Sequence, residues 1–145
     1  MTRHEARERV LQTLFQLDVN EVSSSLAAEY THSLLDGEQD GDGFFLQLLE
    51  GVVSHKLFLD EIISSYAEDW TIDRMPGVDR NILRIGCYEL VFIEETPSAV
   101  IVNEAVELSK HFGTDQSSKF VNGVLAGVLR NLSDLRLNAK GQTPQ

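Results

Sequence analysis

The sequence predicts an all-α fold, a helical bundle of about six or seven helices in two small packed subdomains. Apolar residues recur at helical spacing along most of the chain, whereas the alternation that marks strands is nearly absent. The dipeptide Pro76-Gly77, which is typical of turns, separates two groups of several helices each. With 145 residues, 42% of them hydrophobic, the chain is long enough to bury a core without disulfides or metals. We expect a single domain over residues 1–135 and a flexible tail over residues 136–145.

The first group of helices lies before the Pro76-Gly77 turn. It begins with a helix over residues 5–17, whose apolar residues form one stripe. Serines at positions 23–25 can cap a second helix that runs to about residue 35, and the polar residues 36–43 predict a loop. Residues 44–67 carry a long amphipathic helix pattern, which we expect to break near His55.

The second group of helices follows the turn. Residues 78–93 are apolar on nearly every face, which is typical of the central helix of a bundle. Thr96-Pro97 predicts the start of the next helix, because proline suits a first turn, and Gly113 can end that helix. A last helix should run to about residue 132. It contains Gly123 and Gly127, each of which costs roughly 1 kcal/mol relative to alanine. Since a bare backbone allows close approach, we expect a neighbouring helix to pack against both glycines.

The charge distribution bounds the kind of partner. A net charge of −11 argues against a general nucleic-acid binder, because such proteins neutralise phosphates. The two ends of the chain are mildly basic and the middle is strongly acidic, so the ends could hold a polyanion locally. An asymmetry of this size is also common in acidic soluble proteins that have no such partner.

The sequence lacks several patterns, and their absence predicts the cellular compartment and argues against a catalytic or metal-binding role. The single cysteine, Cys87, excludes an internal disulfide, and no Cys/His spacing predicts a metal site. The charged N-terminus has no signal-peptide pattern and no apolar run could span a membrane, so we expect a cytoplasmic protein. Nucleotide-binding and metalloprotease motifs are absent, and the four histidines fall on different predicted helices. We therefore expect neither catalytic residues nor a cofactor.

Two sites offer binding chemistry. On a helical wheel, Arg3 and Arg7 fall on the same side as the apolar stripe of the first helix. Either this end overhangs the body and offers cations to a partner, or the side chains extend sideways to water. At the start of the last helix, Lys119 precedes Phe120, and such a pair can bind a phosphate and stack a base. The alternative is that Phe120 belongs to the core and Lys119 is a solvated neighbour.

Three segments together resemble the NusB family of transcription antitermination factors. They are ARERVLQTLFQLDV at residues 6–19, VDRNILRIGCYEL at residues 78–90, and VNEAVELSKHFG at residues 102–113 with KFVNGVL at residues 119–125. The resemblance covers nearly the whole chain, from Arg3 to about residue 132, and is weakest over residues 22–44. It implies the all-α fold of two helical subdomains and a non-enzymatic RNA-binding adaptor.

The same resemblance implies specific partners. Family members pair with NusE, a small-subunit ribosomal protein, and the heterodimer binds the single-stranded boxA sequence of nascent ribosomal RNA leader transcripts. With NusA and NusG, this complex modifies RNA polymerase so that elongation passes terminators. Two alternatives stay open at this point. The chain could be a protein-interaction adaptor without sequence-specific RNA binding, or a homodimer that hides its RNA surface.

Residues carried over from the family define the expected sites. Its basic N-terminus matches Arg3, His4 and Arg7. Glu5 interrupts this basic run. Its RNA-contacting lysine-aromatic pair matches Lys119 and Phe120. The expected partner-binding residues are Phe15, Asp79 and Arg80. Asp79 matches an acidic position that the family associates with the NusE interface, and Arg80 is its neighbour. Phe15 matches an aromatic residue beside that interface or beside the RNA path.

Overall fold

The computed structural model describes residues 1–23, 26, 27, 29, 30 and 43–144, and over these residues the fold is all-α, as the sequence predicts. In chain order, the helices are α1 (Arg3–Val19), α2 (Phe44–Ser54), α3 (Lys56–Tyr66), α4 (Gly77–Phe92), α5 (Ser98–Phe112), α6 (Ser117–Arg130) and α7 (Leu132–Ala139). A 3-10 turn, Ile72–Arg74, precedes α4. Leu26, Ala27, Glu29 and Tyr30 are also helical, where the sequence predicts a second helix. The rest of that prediction, and the predicted loop before Gly43, lie outside the described residues.

Helix α4 is the centre of the molecule. It packs against α1, α2 and α3, which precede it in the chain, and against α5, α6 and α7, which follow it. Its residues 81–91 are all buried, which agrees with its apolar character on nearly every face. The prediction of a central helix is confirmed. Because α4 holds both groups of helices together, the side chains at its two ends have fixed positions relative to α1, α5 and α6.

Helices α2 and α3 separate at His55, as the sequence predicts. The His55 ring stacks on Phe92 at 4.5 Å between centroids, and Phe92 in turn stacks on Tyr88 at 4.9 Å. Tyr88 lies directly on Gly51, where a Cβ atom would overlap its ring. This aromatic stack therefore fixes the angle between α2 and α4 and depends on a glycine in α2.

The two glycines of α6 have different surroundings. A Cβ atom on Gly127 would lie 2.7 Å from Cδ1 of Tyr66, so the bare backbone lets α3 come close. A Cβ atom on Gly123 would meet nothing within 4 Å among the described residues. The expected close packing is confirmed for Gly127 and wrong for Gly123.

This difference predicts opposite effects of the same substitution. Gly123→Ala is expected to raise the free energy of unfolding by about 0.5–1 kcal/mol, because alanine favours the helix and meets open space. Gly127→Ala is expected to lower it by about 1–3 kcal/mol, because Tyr66 must move. Urea unfolding of both variants measures the two changes, and equal effects would contradict this account of the packing.

The C-terminal part of the chain contains a helix that the sequence does not predict. Helix α6 ends at Arg130, and after Asn131 a further helix, α7, continues to Ala139. The Arg136 Nε donates a hydrogen bond of 3.1 Å to the backbone oxygen of Leu90, and Ala139 is buried. The start of the predicted tail, residues 136–139, is therefore helical and packs against α4.

Candidate nucleic-acid interface

The predicted site residues lie in two groups at opposite ends of α4. Helix α1 runs antiparallel to α4, because Arg7 pairs with Glu89 near the end of α4 and Phe15 lies on Gly77 at its start. Gly77 and Glu89 are twelve residues apart, which is about 18 Å along a helix. The structure does not bring the basic N-terminus next to Lys119 and Phe120.

Arg7 lies in the protein interior, with 4% of its surface exposed. Its Nε and Nη2 each donate a 2.8 Å hydrogen bond to the carboxylate of Glu89, and its Nη1 lies 3.8 Å from Glu104 Oε2. Its guanidinium carbon lies 5.0 Å from the centre of the Phe44 ring. Neither alternative from the sequence describes this arrangement, since Arg7 neither overhangs the body nor extends to water. Its RNA contact stays a prediction, and the geometry gives Arg7 a structural role.

Arg3 and His4 form the exposed part of the N-terminal group. The Arg3 guanidinium carbon lies 4.4 Å from the centre of the Phe44 ring, which is a cation–π contact. His4 lies between two carboxylates, with Nδ1 2.9 Å from Glu104 and Nε2 2.9 Å from Glu8. The hydrogen bond to Glu104 and the attraction of both carboxylates raise the pKa of His4. Acidic residues therefore interrupt the basic end in space as well as in sequence.

Arg80 belongs to a network of ion pairs between α1, α3 and α4. Its Nε donates a 2.9 Å hydrogen bond to Asp18, and its Nη1 donates a 2.9 Å bond to the backbone oxygen of Ile72. Arg84 donates to Asp60 at 2.7 and 2.9 Å and to Asp18 at 3.2 Å. The side chain of Arg80 is therefore engaged inside the fold, where it holds the end of α1 and the 3-10 turn. Its predicted contact with a partner protein stays a prediction.

The ion-pair network predicts a pH dependence of stability. Burial alone would raise the pKa of Asp18, but attraction by Arg84 and Arg80 and the hydrogen bond from Asn81 outweigh it, so the pKa is lowered. A carboxylate with a lowered folded-state pKa adds stability above its unfolded pKa, about 4, which is lost as the pH falls through the folded value. In Asp18→Asn, the free energy of unfolding is expected to decrease less as the pH falls than it does in the wild type. Urea unfolding at several pH values from about pH 6 to about pH 2 measures this slope. The exposed Asp73→Asn should keep the wild-type slope, and equal slopes for all three proteins would contradict this role of Asp18.

The second group of site residues surrounds an open cleft of about 580 Å³, which we call the Trp70–Phe120 cleft. Its lining residues are Trp70, Pro76, Asp79, Thr114, Gln116, Lys119 and Phe120. Lys119 is exposed and Phe120 is half-buried at the start of α6. Phe120 is therefore both a core residue and a residue of the cleft, because its ring packs against the core and also faces the cleft. Trp70 is not among the predicted site residues, and its signal in the sequence is a lone aromatic residue in the connector before α4.

Asp79 lies inside this cleft rather than on an open surface. Only 5% of its surface is exposed, and its Oδ1 atom has no hydrogen-bond partner among the described residues. Asp79 stands in the first turn of α4, where the helix dipole favours a negative charge. On the other side of this turn, Phe15 is 39% exposed and its ring covers Gly77. The start of α4 therefore lies between the Phe15 ring and the cleft.

The Cys87 thiol is buried in the protein interior. Burial raises the pKa of the Cys87 thiol to about 12, so the thiol stays protonated at neutral pH. In the part of the chain that the structure describes, no cluster of histidine, cysteine and acidic side chains could hold a metal ion. No helix in that part is long and apolar enough to cross a membrane.

The NusB family model matches residues 4–130 of the chain. The transcription antitermination protein NusB of Bacillus velezensis is 48% identical over 128 residues, which cover 88% of this chain and 95% of that protein. A structure of NusB from T. maritima matches with a TM-score of 0.79 at 32% identity and covers 90% of this chain and 92% of that chain.

A second solved structure contains partners. It is described as the antitermination factors NusB and NusE in complex with dsRNA, and it matches with a TM-score of 0.71 at 27% identity. The match covers 90% of this chain and 98% of that chain. The family model, the relatives and the shared fold agree with the three segments found in the sequence, and the chain belongs to the NusB family.

Proposed function

We propose that the protein is a cytoplasmic transcription antitermination factor that binds boxA RNA of ribosomal RNA leader transcripts together with NusE. In this role it helps RNA polymerase, with NusA and NusG, to read through terminators. Its family membership and the solved complex of a relative with NusE and dsRNA support the proposal. The observation that carries it is the Trp70–Phe120 cleft, which combines an exposed cation with two aromatic rings. This is chemistry for binding RNA, and the proposal assigns the protein no catalytic step.

The charge of the chain explains why a partner is needed. With a net charge of −11 and carboxylates beside His4, the protein alone offers few cations to phosphates. A basic partner held against the same RNA would supply further phosphate contacts, and the linked sites would bind more tightly than either alone. The exposed Phe15 ring beside the start of α4 is the apolar surface that we assign to this partner.

The roles of the other predicted residues follow from their surroundings. Lys119 and Phe120 bind the RNA, and Arg3 and His4 reach it only if the strand spans the length of α4. Arg7 and Arg80 act through the fold, because both guanidinium groups are engaged with carboxylates.

The first experiment is fluorescence anisotropy of a labelled boxA RNA and a scrambled RNA, each titrated with the protein at fixed moderate salt, with and without NusE. We expect selective binding of boxA that tightens when NusE is added. Equal binding of both RNAs, together with retained binding of NusE, would instead support the protein-interaction adaptor. Sedimentation at several protein concentrations tests the possible homodimer separately.

Lys119→Ala is expected to weaken boxA binding by about fivefold to tenfold, because one charge-assisted contact with a phosphate is lost. The slope of log affinity against log salt should become shallower by about 0.7, the value for one phosphate on a single strand. Lys140→Ala is the matched control, since Lys140 is exposed on a different helix end. An unchanged slope for a folded Lys119→Ala variant would remove Lys119 from the RNA site.

A further inference from the structure

We propose that the proton on His4 controls how strongly the basic end of α1 attracts RNA, because protonated His4 neutralises two carboxylates that otherwise repel phosphates. The carboxylates belong to Glu8 and Glu104, and we call the three residues the His4 cluster. This role of His4 rests on the proposed function and adds to it a dependence of RNA affinity on pH. It replaces the expected direct contact between His4 and RNA with an effect of the charge on His4.

Both ring nitrogens of His4 contact a carboxylate. Nδ1 lies 2.9 Å from an oxygen of Glu104 on α5, and Nε2 lies 2.9 Å from an oxygen of Glu8, one turn further along α1. An ionised carboxylate only accepts hydrogen bonds, and a neutral imidazole has a single N–H, so it can donate to only one of the two. The imidazolium form has a proton on each nitrogen and donates both bonds at once. The geometry of the His4 cluster therefore corresponds to protonated His4.

The charges that face His4 favour this protonated form. Glu8 faces the ring from α1, and Glu104 faces it from α5. The adjoining cation, Arg7, lies 3.8 Å from Glu104 but directs its two 2.8 Å hydrogen bonds to Glu89 of α4. Arg7 therefore does not replace His4 as the partner of the two exposed carboxylates. The hydrogen bond to Glu104 and the attraction of both carboxylates raise the pKa of His4.

Loss of this proton changes the charge that a phosphate meets. The His4 cluster carries one net negative charge with the proton and two without it. A neutral ring also releases one carboxylate, because it keeps a single N–H. One unit charge about 7 Å from a phosphate changes the affinity by about threefold in water, and by more where the dielectric constant is lower. We therefore expect the RNA affinity to fall by about threefold to tenfold when His4 is deprotonated.

The direction of the pH dependence follows from linkage. Phosphates beside the His4 cluster stabilise the protonated form, so the RNA-bound protein holds this proton more tightly than the free protein. The affinity is therefore highest below the pKa of His4 in the free protein. It falls as the pH rises through this value and reaches its lower limit above the pKa of the RNA-bound protein.

The other histidines provide controls. Burial lowers the pKa of His55, so this ring loses its proton at a lower pH than His4 does. His111 is exposed on α5, and His32 lies outside the described residues. His111→Asn and His32→Asn should therefore keep the pH profile of the wild type.

The experiment measures the fluorescence anisotropy of a boxA RNA with flanking nucleotides on both sides, titrated with the protein in complex with NusE. Titrations at fixed low salt from about pH 6 to about pH 8.5 cover the range in which a histidine with a raised pKa loses its proton. The wild type should lose about threefold to tenfold in affinity over this range. Titratable groups of NusE contribute to every variant, so differences between variants report on His4.

Two substitutions of His4 should give opposite constant affinities. His4→Asn never carries the charge, so its complex should bind RNA at every pH as weakly as the wild type does at high pH. His4→Lys carries the charge throughout this range and should bind as tightly as the wild type does at low pH. Glu8→Gln removes one repelling charge and should bind about threefold more tightly than the wild type at the highest pH.

A second measurement tests the His4 cluster without RNA. In an NMR titration, the chemical shifts of the ring nitrogens report whether one or both carry a proton, and the spectrum of His4→Asn identifies the His4 signals. His4 should titrate above the ordinary value of about 6.5 in the wild type and at a lower pH in Glu104→Gln. A wild-type midpoint at or below about 6.5 would contradict the protonated cluster.

The remaining outcomes separate the role of His4 from the proposed function. If the wild type and His4→Asn share one pH profile, the proton on His4 does not control RNA binding and only this role fails. A flat wild-type profile together with a raised midpoint in the NMR titration would show that RNA does not reach the basic end of α1, which also overturns the role. A wild type without any preference for boxA over scrambled RNA overturns the proposed function, whereas the NMR titration still decides the protonation of the cluster.

Discussion

Replacing Arg7 with alanine is expected to lower the free energy of unfolding by about 3–5 kcal/mol, because the change leaves Glu89 as a buried charge without its partner. Glu89 has 1% of its surface exposed, and its carboxylate accepts two 2.8 Å hydrogen bonds from Arg7. The substitution also removes the arginine from the Phe44 ring. Since domains of this size are stable by only about 5–15 kcal/mol, the loss is a large part of the total.

Urea unfolding at neutral pH measures this effect. Arg9→Ala is the control on the same helix, since Arg9 is exposed and its change should stay within about 0.5 kcal/mol. The double variant Arg7→Met with Glu89→Leu should recover most of the stability, because apolar residues of similar volume often replace a buried pair without loss. If the free energy of unfolding of the single variant Arg7→Ala lies within about 1 kcal/mol of the wild-type value, the ion pair does not stabilise the fold.

This result would also change how RNA-binding data on Arg7 are interpreted. A weaker affinity of Arg7→Ala could come from a displaced N-terminal turn of α1 rather than from a lost phosphate contact. Arg3→Ala separates the two causes, because Arg3 is exposed one turn earlier on the same helix. A phosphate contact at this end of the protein should appear as a change in salt slope for Arg3→Ala, whereas loss of the contact with the Phe44 ring should lower the free energy of unfolding by only about 0.5–1 kcal/mol.

The sequence predicts the fold well because its strongest signals are local. The apolar faces of α4, the break at His55 and the connector that ends at Pro76 are properties of short segments, and the structure confirms all three, although Gly77 is already the first residue of α4. Helix α7 was missed because its residues carry a weak apolar pattern. Its position depends instead on contacts with α4, such as the hydrogen bond from Arg136 to Leu90.

The candidate site was harder to predict because it depends on neighbours distant in sequence. A helical wheel places Arg7 on the inward side of α1, but it does not show that Arg7 pairs with Glu89, which lies 82 residues later in the chain. Likewise, Lys119 and Phe120 are visible as a pair in the sequence, whereas Trp70 and Asp79 join them only in the folded chain. Family resemblance identifies the first pair, and only the structure shows the cleft and its buried acceptor.

Arg84→Met is expected to lower the free energy of unfolding by about 3–5 kcal/mol, because this change also leaves a carboxylate without its buried arginine partner, here in the middle of α4. Arg84 is 3% exposed and donates two hydrogen bonds to Asp60 and one to Asn81. Methionine fills a similar volume but leaves Asp60 without its main partner in a half-buried position. Arg84→Lys should rescue little, because an ammonium group cannot reproduce the planar two-bond contact.

Arg74→Met on the 3-10 turn is the control, since Arg74 is exposed and its loss should change stability by less than about 0.5 kcal/mol. Arg84→Met with Asp60→Leu removes both charges and should recover part of the loss, which tests the ion pair rather than the volume of the side chain.

The network around Asp18 also holds the end of α1, one turn beyond Phe15. Folded Arg84→Met should therefore bind NusE more weakly while Lys119 still contacts RNA, whereas a normal affinity for NusE would show that the Phe15 surface does not depend on this network.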